Sequence, residues 1–226
     1  MVSFNQSTWT LTDHAGTIHQ VFPQEFWYLA PNVVDPDHNS RPLDLAMTLH
    51  NARQGAGLCI AMETLLKDLP PSSAKSGRAK EAEDLFEDIR QSYYPERPSR
   101  LRCFFLSLDE ATAREREQSW SWGVRRLVRC HLVLSSGRYH YADVREYEQA
   151  ARHGPTVDHA HAYWGNYDET RVPKGVTEVL ADSDLYFPDW ATFPTLDRKK
   201  LAIWEEDRAR RQKAPGRSTA ATDRDR

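Results

Sequence analysis

Val176-Thr177-Glu178-Val179-Leu180-Ala181 sets one carboxylate inside a β-branched, otherwise apolar run. That composition predicts a strand with at least one buried face. A lone carboxylate in such a strand ordinarily faces water, because burying it requires a partner for its charge. Working back along the chain, Val157 to Trp164 reads as a short helix stopped by Gly165-Asn166, and Val144 to His153 as a helix closed by Gly154-Pro155. Arg125 to Ser135 alternates polar with apolar residues, Ser136-Gly137 is a turn pair and Arg138 to Tyr141 returns, so a hairpin is predicted there.

Further upstream, Leu101 to Leu106 has strand composition. Ser107, with Glu110 three residues on, matches a capping box that opens a helix to about Ser119. Between Arg78 and Tyr93 the apolar residues Ala82, Leu85, Phe86 and Ile89 keep helical spacing, and Pro95 and Pro98 stop it. Leu43 to Leu69 is helical in pattern but split by Gly55 and Gly57. Glu25-Phe26-Trp27-Tyr28-Leu29-Ala30 predicts a buried strand ended by Pro31-Asn32. Before it, Thr8 to Leu11 and Ile18 to Phe22 flank Asp13-His14-Ala15-Gly16 as a hairpin. Strands and helices follow one another irregularly rather than as strand–helix–strand units, so the predicted class is α+β.

The chain has 226 residues, 39% of them apolar and 11% aromatic. That is enough to bury a core and too much for a wholly disordered chain. Lys and Arg number 30 against 33 Asp and Glu, a net charge of −3, so no overall field draws the protein to a polyanion. Cys59, Cys103 and Cys130 are too few and too scattered for a disulfide framework or a zinc site, and read as reduced thiols. No apolar run approaches the ~20 residues of a membrane span. Met1 to Gln6 lacks the basic and apolar regions of a signal peptide. A cytoplasmic protein is expected, with no membrane partner; delivery into a target cell by a leaderless route is compatible with the same features. One domain is expected over residues 1–204. Glu205 to Arg226 contains no Val, Ile, Leu or aromatic residue, which predicts a helix end running into a charged, disordered tail. Leu69 to Gly77 reads as a connector.

Common catalytic signatures are missing: there is no phosphate-binding Gly-x-x-x-x-Gly-Lys loop, no Gly-x-Gly-x-x-Gly after a strand and no Gly-x-Ser-x-Gly elbow. The densest histidine group, His153, Asp158, His159 and His161, lacks a convergent third ligand on a helix, and a solvated helix face accounts for it. No metal is expected.

Three stretches taken in chain order carry more information: Trp27-Tyr28-Leu29-Ala30, Pro98-Ser99-Arg100-Leu101 and Glu178-Val179-Leu180, with Tyr163-Trp164-Gly165 before the last. On these the chain resembles bacterial proteins of the ADP-ribosyltransferase fold over about residues 24 to 190, and more distantly the DNA-modifying toxins of toxin–antitoxin pairs. Tyr28 stands where the family pattern has His. The resemblance implies a split central β-sheet flanked by helices and a mono-ADP-ribosyltransferase that uses NAD as co-substrate. It implies that Glu178 is catalytic, that Trp27 and Tyr28 hold the dinucleotide, and that Ser99 and Arg100 lie on the middle strand with Arg100 at the pyrophosphate. Trp164 would wall the nicotinamide pocket. The implied partners are an acceptor protein or nucleic acid, and an antitoxin or immunity protein if the chain is a toxin or effector.

Elementary chemistry fits that assignment. Breaking a nicotinamide glycosidic bond develops positive charge on the ribose, and a carboxylate bonded to a ribose hydroxyl stabilises it without a metal. Plainer readings stand beside it. Arg100 also suits an ion pair with Glu87 or Asp88, and Trp164 suits a core position. Val176, two residues before Glu178, is not the acid or amide of arginine-directed transferases of this fold. The domain would equally serve as a catalytically inactive module that binds a nucleotide or a partner. Arg125, Arg126 and Arg129 beside Trp120 and Trp122 match a nucleic-acid platform as well as one face of a half-buried strand.

Overall fold

A computed structural model of the protein describes residues 3–31, 41–61, 77–119, 125–165, 167–168, 170–193, 195–196 and 198–213. In chain order its elements are β1 (Ser3–Asn5), β2 (Thr10–Thr12), β3 (Ile18–Gln20), β4 (Phe26–Pro31), α1 (Arg41–Gln54), β5 (Leu58–Cys59), α2 (Arg78–Tyr93), β6 (Phe104–Ser107), α3 (Glu110–Ser119), β7 (Arg125–Asp143), α4 (Val144–His153), α5 (Val157–Trp164), β8 (Thr177–Tyr186) and α6 (Arg198–Lys213). Helices are thus mixed with antiparallel sheets, in keeping with the class expected from the sequence. β1, β2 and β3 form a small sheet of their own. The main sheet runs β5-β8-β6-β4-β7, and β7 pairs back onto β8. That last pairing closes β4, β6, β8 and β7 into a ring.

Closure depends on the length of β7. Its first half pairs with β4 and its second half with β8, the register slipping between Leu132 and Gly137. The hairpin expected over 125–141 is therefore one continuous 19-residue strand. The turn expected at Gly137 does not form; its conformation answers to a close backbone approach instead. With φ of +137°, a Cβ there would lie 1.9 Å from the Asp182 carbonyl oxygen. Gly137→Ala should accordingly destabilise the protein by about 2 kcal/mol, measured as a shift in denaturant midpoint at unchanged slope.

Alternation along the strands sorts residues onto two faces. Tyr28, Leu106 and Val179 lie opposite one another and belong to the ring's interior core with Phe26, Phe104, Val128, Cys130 and Ala181; Met47 and Ala52 of α1 and Trp204 of α6 join it. The other face of β8 is covered by α2, α4 and α5, whose Ala82, Phe86, Ile89, Tyr147, Ala150 and Tyr163 pack on Leu180 and Ala142. The stops at Gly154 and Gly165 are those expected, and the structure adds side-chain caps at the two helix starts. Asp143 accepts from the Arg145 amide, Thr156 from the His159 amide, and Gly154 takes φ of +111° at the end of α4.

Other boundaries differ from expectation. Arg100 to Cys103 form the corner before β6 rather than part of a strand, so Ser99 and Arg100 are not strand residues. Leu58 and Cys59 pair with β8 instead of continuing a helix. The residue capping α3 is Asp109, which accepts from the Thr112 amide at 2.8 Å and the Thr112 hydroxyl at 3.0 Å, not Ser107. Helix α6 carries the chain to Lys213, so the first residues of the expected tail are helical; residues 214–226, and the connector from 69 to 76, lie outside the described residues. No helix among the described residues is long and apolar enough to cross a membrane.

Candidate functional site

Glu178 is the second residue of β8, on the helix-covered face, and is 5% exposed. A carboxylate taken out of water needs a charged partner, and the Pro-Ser-Arg corner supplies one. Arg100 Nη1 donates to Glu178 Oε1 at 2.5 Å, and the Tyr163 hydroxyl donates to the same oxygen at 2.5 Å. Arg100 Nη1 also bonds the Tyr163 hydroxyl. Across the guanidinium, Nε lies 3.5 Å from Glu83 Oε2 of α2. The Arg100 Cζ sits 3.9 Å from the Tyr147 ring centroid and 4.9 Å from that of Phe105. One side chain thereby ties the corner to α2, α4, α5 and β8. Burial opposes its charge, but the carboxylates of Glu178 and Glu83 outweigh that and hold its pKa above the ordinary value. Burial pushes the Tyr163 and Tyr147 hydroxyls up, so both act as neutral donors.

The corner itself is held from α2. Ser99 Oγ donates to Glu87 Oε2 at 3.0 Å, while Arg90 bonds both Glu87 oxygens and donates to the Arg97 carbonyl at 3.0 Å. Burial would raise the Glu87 pKa, but the Arg90 guanidinium prevails and lowers it. Of the two ion pairs considered for Arg100, then, neither forms. Glu87 belongs to Arg90, and Arg100 takes Glu178 and Glu83.

The remaining sequence-predicted residues separate. Tyr28 points into the ring, edge-on to Phe104 at 5.6 Å, on the face opposite Glu178. The two do not line one cleft, because adjacent register rows alternate sides. Trp27 is the residue that shares a face with Glu178: Trp27 pairs with Ser107 and Ser107 with Glu178, two strand spacings, about 10 Å. Trp164 is wholly buried in the helix-covered core; its Nε1 donates to the Phe86 carbonyl at 2.8 Å and its ring stacks on His140. Ser107, overlooked as a site residue, completes the row. Its helix-cap pattern masked it, and only strand register reveals it.

At its Trp27 end the row meets a groove of about 360 Å³ lined by Glu25, Trp27, Glu110, Arg126, Arg129 and Asp189. Arg129 pairs with Glu25 at 3.0 Å and Asp189 at 3.4 Å, and Arg126 donates to the Thr192 carbonyl and hydroxyl. The basic cluster is thus largely engaged by its own neighbours. Trp120, Trp122 and the Arg125 side chain lie outside the described residues. In the histidine group, His161 Nδ1 meets the Tyr94 hydroxyl at 3.0 Å. Among the described residues no three His, Cys, Asp or Glu side chains are grouped to hold a metal.

These features define a mixed domain with a charged cluster buried between a closed strand ring and a helical layer. A family model described as a protein of unknown function, DUF2441, matches residues 44–184, and the chain belongs to that family. The matched span contains α2, the corner, β6, β7, the helical layer and Glu178. No curated protein matches the chain.

Proposed function

We propose that the protein is a mono-ADP-ribosyltransferase that cleaves NAD and passes ADP-ribose to a macromolecular acceptor, acting as a bacterial toxin or effector. The observation that carries this reading is the way Glu178 is held. Among the described residues, its hydrogen bonds from Arg100 and Tyr163 both end on Oε1. The side chain keeps 7% exposure, and Oε2 remains to accept from a ribose hydroxyl. As the bond from the anomeric carbon to the nicotinamide nitrogen breaks, its electron pair leaves with nicotinamide, and the fixed carboxylate stabilises the cationic sugar. An acceptor nucleophile then bonds to the anomeric carbon and gives up its proton. Trp27, on the same face, supplies an aromatic surface for the dinucleotide. Arg100 and Ser99 serve the carboxylate and its corner in this reading, not the pyrophosphate, and Tyr28 serves the core.

Purified protein should release nicotinamide from NAD, and Glu178→Gln should slow release about a hundredfold while keeping the far-UV spectrum and a cooperative melt. Unrestrained expression should arrest bacterial growth in the wild type and not in the variant. The depth at which Glu178 is tied down favours one other reading, a catalytically inactive module that binds a nucleotide or a partner. Saturable NAD binding without nicotinamide release would select that reading and reject the transferase.

A further inference from the structure

The row Trp27–Ser107–Glu178 is open at one end and shut at the other, and α3 is what lies along it. Glu110, its first residue, lines the groove beside Trp27. Arg116, six residues on, donates from Nη1 to Ser107 Oγ at 3.2 Å and from Nη2 to the Thr177 carbonyl at 3.1 Å. Those acceptors are the register partner of Glu178 and its neighbour in sequence.

The helix is also weakly anchored. Its sequence, Glu110-Ala111-Thr112-Ala113-Arg114-Glu115-Arg116-Glu117-Gln118-Ser119, offers only two alanines as apolar groups. Among the described residues, none of its side chains belongs to any of the three buried apolar clusters, whereas α2, α4 and α5 each contribute several. Among its described side chains, Thr112 and Ala113 are the buried ones. A segment held by polar ties over little apolar contact opens locally at far lower free energy than a core strand.

We propose that α3 is a displaceable cover over the Trp27–Ser107–Glu178 row, fastened by Arg116, and that its displacement joins the groove to the carboxylate. That it governs NAD access rests on the transferase reading; the displacement itself does not. With the cover shut, Glu178 meets little solvent and cannot spend the glycosidic bond of NAD on water. With it open, the row presents an indole, a hydroxyl and a carboxylate along one face.

The test uses the full chain, with two readouts that need no turnover. In hydrogen exchange, amides of residues 111–118 should exchange well ahead of those in β6 and β8. Arg116→Ala should speed the α3 amides about tenfold and leave the strand amides unchanged. In footprinting with a carbodiimide and a small amine, the same substitution should raise labelling of Glu178 severalfold, and Arg116→Lys, which keeps one donor group in reach, should fall between. Nicotinamide release should rise with labelling. The cover is refuted if wild-type α3 exchanges as slowly as β8, if Arg116→Ala accelerates all elements together, or if Glu178 labelling does not change. Faster exchange and labelling in a protein that never releases nicotinamide would support the cover and reject the transferase reading alone.

Discussion

Replacing Arg100 with Met is expected to cost about 3–5 kcal/mol of folding stability, the range for leaving a buried charge without its partner. Methionine occupies much of the volume of the arginine stem, so packing loss is small and the effect is electrostatic. Glu178 and Glu83, at 5% and 4% exposure, would both lose the Arg100 guanidinium. Against a typical total of about 5–15 kcal/mol, that loss brings the fold near its limit. Chemical denaturation measures it directly. The origin of the loss makes a second forecast: adding Glu83→Gln and Glu178→Gln to Arg100→Met should restore more than half of it, because no unpaired charge then remains. A triple variant less stable than Arg100→Met would show that the cluster contributes hydrogen-bond geometry rather than charge balance.

Acidification from pH 6.5 to 4 should remove up to about 3 kcal/mol through one imidazole. His140 is buried against Trp164, its Nε2 donating to the Tyr163 carbonyl at 3.0 Å. Burial lowers its pKa from 6.5 to about 4, outweighing the opposing pull of that hydrogen bond. The sign follows from proton counting. Between the two values the unfolded chain binds the proton and the folded chain does not, so stability rises with pH and is complete above the unfolded value. Glu87, whose pKa is lowered, begins to lose its contribution only as pH falls through the ordinary carboxylate value, so its window lies under the lower end of that of His140. His140→Gln keeps a donor toward the carbonyl, cannot titrate, and should flatten the curve from pH 4 to 6.5. A variant with the wild-type slope over that window would assign the acid loss to other groups, His131 foremost, whose pKa burial also lowers.

Local chemistry made much of the fold legible. The spacing of Ala82, Phe86 and Ile89 and the stops at Pro95, Gly154 and Gly165 gave the extents of α2, α4 and α5, because helix periodicity and end-capping are short-range properties. β7 was misread for an equally physical reason. Gly137 signals a positive φ, but sequence does not say whether a turn or a close backbone neighbour demands it. The site was harder still. Glu178 drew notice as a charge in an apolar strand, yet its partners Arg100 and Glu83 lie 78 and 95 positions earlier, joined only by tertiary packing. Alternation placed Trp27 and Tyr28 on opposite faces of β4 without saying which face the carboxylate takes; register with Ser107 settled it for Trp27. Ser107 itself, read as a helix cap, shows how one pattern conceals another.

The ring has an implication for how the polypeptide is made. β8 is its last strand in synthesis but lies between β6 and β7. Until Tyr186 clears the ribosome, those two strands each expose an unpaired hydrogen-bonding edge, and the Arg100 guanidinium waits without its carboxylate on β8. A nascent chain arrested before Thr177 would therefore present two sticky borders to its neighbours on a polysome. Such an intermediate is a natural client for a holdase chaperone, and release from that chaperone should coincide with insertion of the final strand.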